Sequence, residues 1–322
     1  MTLAVDFALV QAVRKAVSRH VRRTPLVRSE WLSALTGREV FLKCENLQVT
    51  GSFKVRGALA AVGRLSPTER QRGVLASSAG NHGLGLARAA AVYGVPATVV
   101  VPRSAPAVKV DGIVALGARA VRSPHDGYDD TQSWALENRD RFGGVFVSPF
   151  EDPAVIAGNG GTTALEIFED GPPLDALLIP CGGGGCSIGA GIVAREMSPA
   201  TRIVAVNTEA SPGMWLSWRD GRPHLRVESR PTLAEGIEGG VGEHSYALSR
   251  RFVDQVKVVT EAAIRRAVVE CLLEERLLVE GSGAAGVAAL LEGAVEGGRI
   301  GVVLTGSNLD PARLRELLAG AG

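Results

Sequence analysis

This sequence predicts an α/β fold of two lobes, each a mostly parallel sheet flanked by helices. Three observations lead there. Apolar strand-like runs alternate with Ala-rich helical stretches through most of the chain, the pattern left by parallel strands joined through crossover helices. The runs fall into two series, one between residues 73 and 123 and the other between 175 and 306. The 322 residues also exceed what a single hydrophobic core usually spans, so two compact units are expected.

The elements follow in chain order. Asp6, Arg14 and Lys15 interrupt the apolar positions of the first twenty residues, which fits an amphipathic helix and not the unbroken apolar centre of a signal peptide. In the first series GVLASS (73–78), ATVVVP (97–102) and ARAVRS (118–123) carry the short apolar runs of strands. LGLARAAAVYG (84–94) and the amphipathic run ending in LGA (116–118) supply helices between them. In the second series DALLIP (175–180), TRIVAVNTE (201–209) and RIGVVLTG (299–306) read as strands, and the Ala/Gly-rich stretch 187–197 as a helix. Residues 207–245, rich in Gly, Pro, Glu and Arg, are the loopiest part and are expected to wrap the larger lobe.

Composition narrows the function. A formal net charge of +1 and the lack of long Lys/Arg blocks give no electrostatic footprint for nucleic acid or anionic lipid. The most apolar stretch, 176–194, is broken by glycines and does not read as a membrane span. A small-molecule partner and a cytoplasmic location are expected. Cys44, Cys181, Cys186 and Cys271 show no paired CxxC spacing and read as reduced thiols. Lys15, Lys43, Lys54, Lys109 and Lys257 are the only lysines beside many arginines, so a lysine inside a Gly/Ser-rich run invites a chemical reading.

Lys54 lies in such a run, LQVTGSFKVRGA (47–58), and a second Gly-rich run, PCGGGGC (180–186), follows the strand DALLIP and opens onto a helix. A lysine amine can hold an aldehyde cofactor, and burial lowers its pKa toward the neutral form that this needs. Glycines can turn backbone N–H groups onto a phosphate, where a helix N-terminus adds partial positive charge. Each run also has a plain reading, as a surface lysine and as close helix packing. Together they point to pyridoxal phosphate.

The motif SFKVRGA resembles that of the threonine and serine dehydratases, ammonia-lyases among the fold type II pyridoxal phosphate enzymes, which are related to the serine racemases. The resemblance implies a small lobe, 53–149, inserted in a large cofactor-binding lobe made of 1–52 and 150–322. It makes Lys54 the catalytic Schiff-base lysine and lays Phe53 along the pyridine ring. Gly182, Gly183, Gly184, Gly185 and Cys186 would hold the phosphate. In SSAGNHG (77–83), Asn81 would bond the ring hydroxyl, while Ser78, Ala79, Gly80, Asn81 and His82 would surround the substrate carboxylate; as a bare string the same loop is a helix N-cap. In VVLTGSNLD (302–310), Thr305 would meet the pyridine nitrogen, although TGSN is also a plain turn. Glu280 and Ser282 in VEGSGAAG and Gly236 in LAEGIEGG match further pocket positions. A homodimer or homotetramer is implied, and the chain is expected to lack the appended domain through which isoleucine inhibits biosynthetic relatives.

The sequence departs from that pattern in two places. Serine racemases place a serine before the Gly-Asn-His of the loop as the acid on the far ring face, and here Ala79 stands there, so dehydration is favoured over racemisation. Some relatives bind a divalent cation through a strand-end glutamate and an aspartate six residues on. Glu209 matches the first position, but the sixth is Trp215, whose apolar indole cannot coordinate a hard cation, so Glu209 alone is left as a candidate ligand and a metal is not expected. The expected reaction is β-elimination from an L-3-hydroxy amino acid, L-threonine or L-serine first, giving a 2-oxo acid and ammonia. Racemisation of serine, or dehydration of a larger substrate such as hydroxyaspartate or a hydroxyectoine-derived amino acid, stays open. A remoter alternative is an NAD-dependent oxidoreductase, since Gly189, Gly191 and Ala194 spell GxGxxA and Glu209 ends the next strand.

Overall fold

A computed structural model describes residues 5–293 and 295–320. Ten strands are found among them: β1 (Leu26–Ser29), β2 (Glu39–Lys43), β3 (Val74–Ser77), β4 (Ala97–Val101), β5 (Arg119–Arg122), β6 (Val145–Phe146), β7 (Ala176–Pro180), β8 (Arg202–Thr208), β9 (Gln255–Val259) and β10 (Arg299–Val303). They form a six-stranded sheet in the order β1-β2-β10-β7-β8-β9 and a four-stranded sheet in the order β5-β4-β3-β6. Only the β1–β2 pair is antiparallel; the other pairs in both sheets are parallel. Strands buried on both faces explain the unbroken apolar runs: every residue of β3 and of β7 is buried.

The strands that sequence reading passed over are β1, β2, β6 and β9. β6 is two residues long, and β9, at the sheet edge, buries only Val259 fully. The stretch 207–245 is more ordered than expected. It contains the helix Gly213–Asp220, which buries Met214 and Ser217 and ends on Gly221 in the left-handed conformation at φ 68. The N-terminal amphipathic helix is Phe7–Ser18, capped by Asp6 and burying Val10, Val13 and Val17. No helix among the described residues is long and apolar enough to cross a membrane.

Three parallel strands deliver the site at their C-terminal ends, where ligands of open α/β sheets gather. β3 runs into Ser78–Gly80 and the helix Asn81–Tyr93, and β7 into Cys181–Gly184 and the helix Gly185–Met197. β10 runs into Thr305. A fourth element, the helix Lys54–Gly63, lies in the seam: one buried apolar cluster joins its Val55, Ala58 and Leu59 to Val74, Ala76 and Leu86 on one side and to Ile156, Ile179 and Ile188 on the other. The GxGxxA string is not a nucleotide loop. Gly189 and Gly191 sit inside the helix Gly185–Met197, where a Cβ would stand 2.3 Å from Ile156 O and 2.0 Å from Phe252 O, so these glycines serve helix packing.

Candidate active site

The strand ends enclose a cavity of about 800 Å³, lined among others by Phe53, Lys54, Ser78, Ala79, Gly80, Asn81, His82, Gly182, Gly183, Gly184, Gly185, Cys186, Gly236, Glu280, Ser282 and Thr305. The residues singled out from sequence thus converge on one space, with Glu209 as the exception. Its carboxylate accepts from the N–H of Glu261 at 3.0 Å, away from the cavity. Among the described residues no cluster of three His, Cys, Asp or Glu could hold a metal ion.

Lys54 opens its helix directly after Phe53. The segment is stitched to the end of β10 by Phe53 N–H donating to Thr305 O at 3.1 Å and Ser307 N–H to Gly51 O at 2.8 Å. Burial lowers the Lys54 pKa, with Cys186, Glu280 and Cys181 pulling the other way, and its Nζ lies 5.1 Å from the Phe53 ring centre. Two residues on, Arg56 is fully buried and bonds Glu45 and Glu166, each at 2.8 Å, while Lys43 bonds Glu166 at 2.6 Å. Burial pushes the Glu45 pKa up, but the Arg56 charge and the bonds from Arg56 and Thr24 outweigh it and hold the carboxyl below its ordinary value. This quartet of two cations and two anions fixes the helix that carries Lys54. Sequence reading missed it because its members are up to 123 residues apart.

Two glycines of the run have no room for side chains. A Cβ on Gly183 would stand 2.4 Å from the Phe150 ring, one on Gly184 would stand 2.6 Å from Met214, and Gly184 has φ +92. The backbone therefore forms the cavity wall itself. The first turn of the helix starting at Gly185 leaves N–H groups without intrahelical acceptors. Cys186 and Cys181 flank this nest with thiols that burial pushes up to about 12, so both stay protonated.

On the facing wall, Asn81 Nδ2 donates to Glu280 Oε1 at 2.6 Å, and its Oδ1 accepts from Asn308 Nδ2, also at 2.6 Å. Burial pushes Glu280 up to about 7 against the bond from Asn81. The Gly236 N–H donates to the Ser282 hydroxyl at 2.7 Å. His82 is buried, with Nε2 at 2.8 Å from Val147 O. What it can offer a carboxylate is its backbone N–H. At the mouth, Lys109 pairs with Glu235 at 2.7 Å across the two lobes, a contact with no local signal in the sequence.

Comparisons with known proteins agree with this geometry. The family described as pyridoxal-phosphate dependent enzyme matches residues 17–306. An L-threonine ammonia-lyase of Thermotoga maritima is 42% identical over 94% of this chain and 75% of its own length. The catabolic L-threonine dehydratase TdcB of Escherichia coli K12 is 33% identical over 98% of this chain and 96% of its own. Among solved structures, maize serine racemase superposes with a TM-score of 0.90 at 30% identity, covering 98% of each chain.

Proposed function

The chain belongs to the pyridoxal-phosphate dependent enzymes, and from that premise we propose that it is a lyase eliminating water and then ammonia from an L-3-hydroxy amino acid, with L-threonine and L-serine as substrates. The observation that carries the reading is Lys54, an amine whose pKa burial lowers, in one cavity with the glycine nest.

The residues present fit the cofactor. Lys54 would hold its aldehyde carbon and Gly182–Cys186 its phosphate, in a nest where a side chain on Gly183 or Gly184 would run into Phe150 or Met214. Phe53, Asn81, Glu280 and Thr305 would surround the ring. When bound, the cofactor supplies a sink for the electron pair left on the substrate Cα. Thr305 is neutral and cannot stabilise a charged ring nitrogen as an aspartate would, which favours elimination over transamination. The amides of Asn81 and His82, at a helix start, with the Ser78 hydroxyl that accepts from Gly80 N–H at 3.1 Å, hold and orient the substrate carboxylate. Lys54 Nζ takes the proton from Cα and returns it to the β-hydroxyl, which leaves as water, and hydrolysis of the remaining enamine gives the 2-oxo acid and ammonia.

Ala79 favours this outcome over racemisation. It lines the cavity where the racemase pattern has serine, and its methyl group can return no proton to Cα. The lobes are taken as 53–149 inserted between 1–52 and 150–322, and the enzyme as a cytoplasmic homodimer or homotetramer that also dehydrates L-serine; the resemblance supports these points. The test is a panel of L-threonine, L-serine and 3-hydroxyaspartate read by ammonia and 2-oxo acid. Equal amounts of both products from at least one substrate are expected, and none with Lys54→Ala. No product from any member would overturn the proposal.

A further inference from the structure

The mouth of the cavity is lined by charged side chains, and its cations are already engaged. Among the described residues, the lining side chains with a positive charge are Lys54, Lys109 and Arg313. Lys54 is taken by the cofactor in the scheme above, and Arg313 bonds Glu316 at 3.0 Å. Lys109 Nζ donates to Glu235 Oε2 at 2.7 Å, and Glu235 lines the same space.

Both members of this pair stand on walls that also serve the substrate. Lys109 lies on the helix Ala107–Ala115, one turn before Ile113 on the same face. Ile113 packs at the first turn of the helix Asn81–Tyr93, where a Cβ on Gly83 would stand 3.1 Å from Ile113 Cδ1. That first turn carries the amides assigned to the substrate carboxylate. On the other wall Glu235 opens the short turn Glu235–Ile237, just before Gly236, whose N–H donates to Ser282. With side chains 28% and 61% exposed, Lys109 and Glu235 are open to a solute entering the cavity.

An amino acid with a second carboxylate on its side chain needs a cation to meet it. An ammonium has three donors, but a second carboxylate could reach Lys109 only beside Glu235, where like charges repel. Glu238 lines the same mouth and adds to the negative field; burial, followed by the charges of Glu235, Glu261 and Asp129, pushes its carboxyl up to about 7.

We propose that Glu235 is a specificity-determining residue: by holding the Lys109 ammonium it denies that cation to a substrate carboxylate, and so turns away amino acids with an anionic side chain. Selection comes from the repulsive element and not from a contact with the accepted substrate. The inference rests on the reading of the cavity as an amino-acid site.

The test uses the full-length, cofactor-loaded protein and two ligands of one shape, 3-hydroxyaspartate and 3-hydroxyasparagine, which differ in charge alone. Affinity is read from the change in cofactor absorbance on titration, with L-serine as the reference ligand. Glu235→Gln keeps the side-chain length and leaves the Lys109 charge uncancelled. It should raise the affinity for the acid relative to its amide about fivefold, the worth of one exposed ion pair. Adding Lys109→Gln to that variant should remove the gain. A general loss of folding would weaken both ligands alike and leave their ratio unmoved. An unchanged ratio in Glu235→Gln, or a gain that survives Lys109→Gln, overturns the proposal. So does a protein that responds to L-serine but to neither larger ligand in any variant. No response to any of the three amino acids overturns the proposal together with the reading of the cavity.

Discussion

Glu280 and Lys54 face the same cavity, and burial drives both toward neutrality by opposite routes, raising the carboxyl to about 7 and lowering the amine. Because Glu280 holds its proton more tightly folded than unfolded, it favours the fold at low pH, and that advantage is lost as pH rises from its ordinary 4.5 through about 7. Glu280→Gln in the cofactor-free protein should therefore raise Tm more at pH 8 than at pH 5; an equal effect at both would show that Glu280 titrates normally. Ala79 carries a second prediction. L-Serine turned over in heavy water should give pyruvate with little D-serine by chiral chromatography, and Ala79→Ser should raise the D-serine share. D-Serine forming as fast as pyruvate in the unmodified enzyme would show an acid on the far face that this account lacks. At this scale the sequence was most legible where chemistry is written in a short string: Lys54 after Phe53, the four glycines, the Ser-Ala-Gly-Asn-His loop. The states of those residues were not legible, since the His82 tautomer depends on Val147, 65 residues away, and the orientation of Asn81 on Asn308, 227 residues away.

Between the lysine helix and the nest helix sits the π-helical turn Ala157–Gly161, and it sets their spacing. Asn159 Oδ1 accepts from Gly57 N–H at 2.8 Å on the lysine side. On the nest side Gly160 lies so close that a Cβ would stand 1.9 Å from Cys186 O, and on the lysine side a Cβ on Gly158 would stand 2.7 Å from Arg56 O. Gly160→Ala must push the nest helix away, so it should cost about 1–3 kcal/mol of stability by denaturant unfolding and also weaken cofactor affinity. A stability loss with unchanged affinity would mean that the spacing does not matter to the nest. Elements with an unbroken apolar run were readable in advance, as with ALLIP and ATVVV, because both sheet faces bury them. QVKVV was not, since an edge strand buries only part of its length, and AGNGG gives no hint of a π turn, which arises from backbone contacts with two other helices.

Across the whole molecule, the two sheets meet where β3, β7 and β10 end, and the seam is closed by few charges. Lys109 pairs with Glu235 at 2.7 Å and Arg226 with Asp130 at 3.1 Å, all at least partly exposed, and such pairs are worth about 1 kcal/mol or less each. The seam is held instead by the apolar cluster around the helix Lys54–Gly63 and by the buried bonds of its Arg56 to Glu45 and Glu166. The alternation of strands and helices foretold two sheets, but not that the lysine would sit on the element packed against both, because that follows from topology and not from any local run. The proposed chemistry therefore turns on one nitrogen. Reducing the cofactor-loaded enzyme with borohydride and mapping its peptides should place the pyridoxyl group on Lys54, with the absorbance at ~410–420 nm bleached and no label in Lys54→Ala. Pyridoxyl on Lys43, which the structure ties to Glu166 and Thr24, or on Lys109, which it ties to Glu235, would contradict the account at its centre.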